Sequence, residues 1–170
     1  MKTIETERLV IRRLCADDAE FIFELVNAPG WIKNIGNKNV RSLDDARRYI
    51  ADGPVASYAK FDFGLCLVEL KESGAPVGIC GLIKRDSLDD PDIGFAFLKR
   101  FWSRGYAVES ASAVMDFGRN VLGLDRILAI TNSDNQGSIK VLEKIGLRFE
   151  KMIQSPGEET QIKLFAWNRP

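Results

Sequence analysis

The run Phe97-Leu98-Lys99-Arg100-Phe101-Trp102-Ser103-Arg104-Gly105-Tyr106-Ala107-Val108-Glu109 is basic, carries one glycine and joins two segments of different periodicity. Entering it, Ile93-Gly94-Phe95-Ala96-Phe97 alternates as a strand does. Leaving it, Ala107, Ala111, Val114, Gly118 and Val121 fall on one helical stripe, with Val108, Met115 and Leu122 beside them. The segment between is therefore a strand-to-helix turn. The first amides of a helix have no internal partner and carry the positive end of its dipole, so such a turn is a ready anion site. Gly105 and Ala107 lack bulk where a phosphate must approach the backbone, and Arg100 and Arg104 place charge at the rim. A purely structural turn before a helix shares these features. The G-x-G-x-x-G fingerprint is absent, which argues against a dinucleotide fold.

Working outward, Gly123 suits the end of that helix, and Arg126 to Thr131 reads as a strand parallel to the one at Ile93, in a right-handed strand-helix-strand unit. A short helix from Asn135 to Ile145 ends at Gly146, and strands follow at Leu147 to Ile153 and Gln161 to Trp167, joined by Ser155-Pro156-Gly157-Glu158-Glu159. Upstream, runs at Phe63 to Leu70 and Pro76 to Leu82 form a hairpin, and with the Ile93 strand a meander. A first strand covers Arg8 to Leu14, and a helix opened by Asp17-Asp18 runs through Asn27 until Pro29-Gly30 stops it. Ser42-Leu43-Asp44-Asp45 reads as the capping box of a second helix, to about Ile50. Between them, Trp31 to Val40 reads as a loop. Trp31 is either a ring that covers the core or the wall of a substrate site.

Composition narrows the chemistry. The 170 residues are most simply one domain, 1–170, with 45% hydrophobic and 28% charged residues. Lys+Arg and Asp+Glu both number 24, so charge gives a nucleic-acid partner no support. The chain has no histidine, which removes imidazole-based triads and most metal sites, and no metal is expected. Cys15, Cys66 and Cys80 stand singly among apolar neighbours and read as free thiols. With no apolar leader and no run of membrane-spanning length, a cytoplasmic protein without a membrane partner is expected.

A second constellation is Asn135 and Ser138, three apart on one face at the start of their helix, with Leu142 one turn on. Both also make good caps. If the two helix starts lie side by side at the ends of neighbouring parallel strands, a ligand occupies the crevice there.

The order of elements, the 102–110 segment Trp102-Ser103-Arg104-Gly105-Tyr106-Ala107-Val108-Glu109-Ser110, and the run Asn135-Gln136-Gly137-Ser138 through Leu147 resemble the GNAT superfamily of acetyl-CoA-dependent N-acetyltransferases. The nearest branch is the RimJ/RimL-like ribosomal-protein alanine/serine N-acetyltransferases. The likeness runs from about Thr6 to Trp167. It implies an α/β (α+β) fold: a mixed twisted central sheet of about seven strands, about four helices, and splayed central parallel strands.

The resemblance also implies roles. Amides from about Ser103 to Ala107, Tyr106 included, would hold the coenzyme's pyrophosphate, with Trp102 at the first motif position. The backbone of Phe97 and Leu98 would pair with the pantetheine arm as an added strand does, which needs free edge groups. Asn135 would contact the coenzyme. Ser138 lies near its sulfur and is the candidate proton donor to the departing thiolate, because Leu142 stands where many relatives carry a tyrosine. Acetyl would pass directly from acetyl-CoA to a primary amine, a protein N-terminus or a small amine. Asp92 and Glu69 are the carboxylates to test as base, each equally readable as a salt-bridged strand residue. Glu158 and Glu159 face the acceptor side or simply form a solvated tip. The protein is expected to be a monomer or homodimer. Two other readings remain, an acyl-CoA-binding regulatory module without turnover and a nucleotide-binding protein.

Overall fold

The computed structural model describes residues 2–155 and 160–170. Among these residues eight strands form one sheet in the order β1-β2-β3-β4-β5-β6-β8-β7. They are β1 (Ile4–Glu5), β2 (Leu9–Arg13), β3 (Leu65–Leu70), β4 (Pro76–Ile83), β5 (Asp92–Phe97), β6 (Arg126–Asn132), β7 (Arg148–Gln154) and β8 (Gln161–Asn168). The helices are α1 (Ala19–Val26), α2 (Pro29–Asn34), α3 (Leu43–Ile50), α4 (Ala56–Phe61), α5 (Tyr106–Asp116) and α6 (Gln136–Lys144). The extra strand is the two-residue β1, too short to show alternation. Two helices are also extra.

α2 begins where the sequence reads as a stop. Pro29 occupies its first turn, where the missing amide N–H has no intrahelical bond to lose. α4 follows α3 through a π-helical turn, Ala51–Val55, that contains Pro54, so no single period runs across the pair. α3 starts as read. The Ser42 hydroxyl accepts from the Asp45 amide at 3.1 Å, and the Asp45 carboxylate accepts from the Arg41 amide at 2.9 Å.

β2 to β5 are successively antiparallel, and their alternating side chains feed two cores. One lies under α5 and α6 and includes Ile11, Val68, Cys80, Ile93, Val114, Ile127, Leu142 and Phe165. The other lies under α1, α2 and α3 and includes Ile22, Leu25, Trp31, Ile50, Leu67, Ile79 and Leu98. α5 presses closely on the sheet: a Cβ on Gly118, in the π-helical turn after it, would lie 2.9 Å from Ile127 and 3.2 Å from Leu82.

One junction departs from regular pairing. β5 and β6 are parallel neighbours matched only at Asp92↔Leu128, where the Leu128 amide donates to the Pro91 carbonyl at 2.9 Å. Beyond that residue the strands diverge.

Candidate active site

The gap between β5 and β6 opens toward their C-terminal ends, where α5 and α6 begin. On β5 the Leu98 amide donates to the Val77 carbonyl of β4 at 3.1 Å, and the Leu98 carbonyl accepts from the Phe101 amide at 2.9 Å. Leu98, expected to offer backbone groups to the gap, has both engaged. Strand alternation then turns the N–H and C=O of Phe95 and Phe97 toward the gap. The Phe97 carbonyl accepts the Trp102 indole N–H at 2.7 Å. Gly94 leaves no space of its own: a Cβ there would lie 2.8 Å from the Ile83 side chain.

The turn after β5 is built from two left-handed residues, Ser103 (φ 60°) and Gly105 (φ 83°), the latter at the N-cap of α5. A left-handed φ is free for glycine and strained for a side chain. The first helical bond runs from the Glu109 amide to the Gly105 carbonyl at 3.0 Å, so the amides of Tyr106, Ala107 and Val108 have no helical acceptor. Arg104 lies over the Phe101 ring, 6.0 Å from its centroid. Arg100, expected at the rim, is drawn onto Glu24 of α1, and that bond holds the Glu24 carboxyl below its usual range.

At the start of α6, the Asn135 side chain caps the helix, its oxygen accepting from the Ser138 amide at 3.1 Å. The Ser138 hydroxyl is half-buried and makes no hydrogen bond among the described residues. Leu142 lies one turn deeper, fully buried in the core under the helix.

α2 closes the mouth of the gap from the other face. A Cβ on Gly30 would lie 2.9 Å from the Trp102 ring, the Asn34 carbonyl accepts from Asn132 of β6 at 3.4 Å, and Lys33 pairs with Asp134 at 3.5 Å. α2 thus bridges the C-terminal ends of β5 and β6. Trp31 is buried against α1 and Leu98, and its Nε1 has no partner among the described residues.

The two candidate carboxylates lie apart. Asp92 sits where β5 and β6 meet and is 1% exposed. Burial pushes its carboxyl above the usual range, against the opposing pull of Arg85, whose Nε reaches both oxygens at 2.9 and 3.0 Å. Glu69 lies on β3, two strands from the gap, bound to Arg12 at 2.7 Å in a cluster with Asp18. Both are salt-bridged strand residues. Glu158 and Glu159 lie outside the described residues. No group of histidine, cysteine and carboxylate side chains able to hold a metal exists among the described residues.

One residue at the turn was not legible in the sequence. Arg8, between β1 and β2, donates to the Arg104 carbonyl at 3.0 Å and lies over the Tyr106 ring at 4.8 Å. It also binds Glu109. Nothing local in Thr6-Glu7-Arg8 announces a contact made 101 residues away.

The sequence profile described as "Acetyltransferase (GNAT) domain" matches residues 8–148. The chain is 31% identical over 112 residues to the uncharacterized protein YkkB of Bacillus subtilis, an alignment covering 65% of this chain and 59% of that one. It is 28% identical over 153 residues to the uncharacterized N-acetyltransferase YoaA of the same organism, covering 89% and 85%. In fold it is similar to the solved structure of RimL, the ribosomal L7/L12 alpha-N-protein acetyltransferase, in complex with coenzyme A. That comparison has a TM-score of 0.82 and 15% identity, and covers 98% of both chains.

Proposed function

The chain belongs to the GNAT acetyltransferase family, whose members move acetyl from acetyl-CoA to an amine, and we propose that this one holds the coenzyme in the gap between β5 and β6. The carrying observation is the single matched pair Asp92↔Leu128, which leaves the edge of β5 free directly beside the positive N-terminus of α5. The pyrophosphate rests on the amides from Ser103 to Ala107, and the pantetheine arm pairs with the gap-facing groups of Phe95 and Phe97 as an added strand. Trp102 yields the Phe97 carbonyl to it. Asn135 and Ser138 form the second wall, and Trp31, buried on the core side of α2, supports that helix from beneath.

β5 from Asp92 to Phe97 spans about 17 Å at about 3.3 Å per residue. An arm running down it from the turn brings the thioester toward the point where the strands meet. A neutral amine attacks the carbonyl carbon, the carbon–sulfur bond breaks, the thiolate takes a proton from the Ser138 hydroxyl or a water it holds, and the proton shed by the attacking nitrogen returns to that oxygen through solvent. Leu142 has no proton to give. Of the two carboxylates, Asp92 is the one at the gap, and burial with the Arg85 pair gives it a positioning role. The acceptor is a protein N-terminus, as for the alpha-N-protein acetyltransferase RimL, or a small amine.

The test has two arms. Incubation with acetyl-CoA and a panel of peptide N-termini, polyamines and amino acids is expected to release thiol in an amine-dependent way. Coenzyme binding with no amine-dependent release would favour a regulatory module instead. Separately, Gly105→Glu, which brings a strained side chain and a negative charge to the turn, is expected to abolish coenzyme A binding while circular dichroism stays unchanged. Unaltered affinity would remove the pyrophosphate from this turn.

A further inference from the structure

Glu109 stands in the first turn of α5, where a carboxylate opposes any phosphate the helix terminus would hold. It is not bare. Its two oxygens accept from the Thr6 hydroxyl, the Arg8 amide at 2.8 Å and Arg8 Nε at 2.7 Å, with Arg8 Nη2 at 2.6 Å. The third arm of the same guanidinium, Nη1, donates to the Arg104 carbonyl inside the turn. The planar group lies over Tyr106, the first residue of α5, and would stand 3.1 Å from a Cβ on Gly105. Arg8 therefore touches the turn at three successive residues, and the rigid fork suits a carboxylate on one side and a carbonyl on the other.

We propose that Arg8 is a positioning residue for the coenzyme's phosphates: it cancels the Glu109 charge at the mouth of α5 and fixes the left-handed turn at Gly105. It acts through Glu109 and the Arg104 carbonyl, all three guanidinium nitrogens being engaged, rather than by contact with phosphate. This rests on the placement of the pyrophosphate at residues 103–107. Glu109 ties the β1–β2 turn to α5 through Thr6 and the Arg8 amide, and the guanidinium removes the electrostatic penalty of that tie. The same pair thus anchors the chain's N-terminal hairpin and keeps the anion site positive.

The experiment is a double-mutant cycle read by calorimetric titration with coenzyme A, beside thermal melting of each variant. Arg8→Ala exposes the Glu109 charge and is expected to weaken binding about 10-fold, the scale of a charge at a helix end. Glu109→Gln is expected to bind at least as tightly as the parent. Arg8→Ala with Glu109→Gln is expected to regain most of the lost affinity even though it has lost more contacts and melts lower. Arg8→Lys keeps the charge but not the fork and is expected to weaken binding about threefold. A double variant as weak as Arg8→Ala, or affinities that merely follow the melting temperatures, would overturn the inference. Should Arg8→Ala not fold, Arg8→Lys decides, and an affinity equal to the parent's overturns it. A parent that binds no coenzyme A, or a Gly105→Glu variant that still binds it, removes the phosphate placement itself and is thereby told apart.

Discussion

Cys66 and Cys80 face each other across β3 and β4, and burial pushes their thiols up to about 11 and about 12. Only a thiolate is a useful nucleophile, and the chain has no histidine to generate one. An acyl-cysteine intermediate at either position is chemically unsupported, and direct attack by the amine follows. Cys15, by contrast, is exposed. An aromatic disulfide reagent at neutral pH is therefore expected to modify one of the three thiols quickly in the native protein and all three in denaturant. Fast modification of a second native thiol would reopen the two-step route. At the same scale, reading single residues had a clear limit. Gly105 was legible because an anion-binding turn before a helix favours a residue without bulk, and the structure adds its left-handed φ, whereas Arg8 was not, because its partner lies 101 residues away.

Among the elements, α5 could be read directly because its buried positions repeat at the helical period over eleven residues. α2, with six, is too short for a period to appear, and Pro29-Gly30 reads equally as an end or a beginning. The start of α6 carries two signals at once, a cap and a ligand contact, which the sequence left open. The structure supplies the cap: Asn135 accepts from the Ser138 amide. Asn135→Ala is expected to cost about 1 kcal/mol of stability, and Asn135→Ser, which keeps a capping oxygen, only a few tenths. If Asn135 also touches the coenzyme, Asn135→Ser should lose affinity for coenzyme A while melting close to the parent. Equal affinity and equal melting in that variant would leave Asn135 as a cap alone.

At the scale of the molecule, the sheet's splay was expected from the family resemblance, since a strand-helix-strand unit by itself gives only two parallel strands with helix starts at their ends. Its extent was not, because no local pattern marks where pairing stops: β5 packs on the cores under α5 and under α1, whereas β6 packs on the first of these and on a third cluster of Leu88, Leu128, Leu164 and Ala166. The same global packing sets the response to acid. Asp18 is buried, which alone would raise its carboxyl, but Arg12 and the Cys15 amide hold it below the usual range. Glu109 likewise is raised by burial and lowered further by Thr6 and Arg8. For groups depressed in the folded state, the unfolded chain binds protons more readily, so their stabilisation is complete above the ordinary carboxylate values, 3.8 for Asp and 4.5 for Glu. It is lost as pH falls through the folded values. Asp92, raised by burial, has the opposite sign: it favours the folded state at low pH and loses that contribution as pH rises through its folded value. The melting temperature is therefore expected to hold steady down to about pH 4.5 and then fall, the depressed carboxylates, Asp18, Glu109 and Glu24 among them, outweighing the one raised. Asp18→Asn should melt lower at neutral pH yet decline more gently below pH 4.5, while Asp92→Asn, stripped of the opposing group, should decline more steeply. Parallel melting curves for parent and Asp18→Asn across that range would show that the Arg12 cluster does not govern the acid transition.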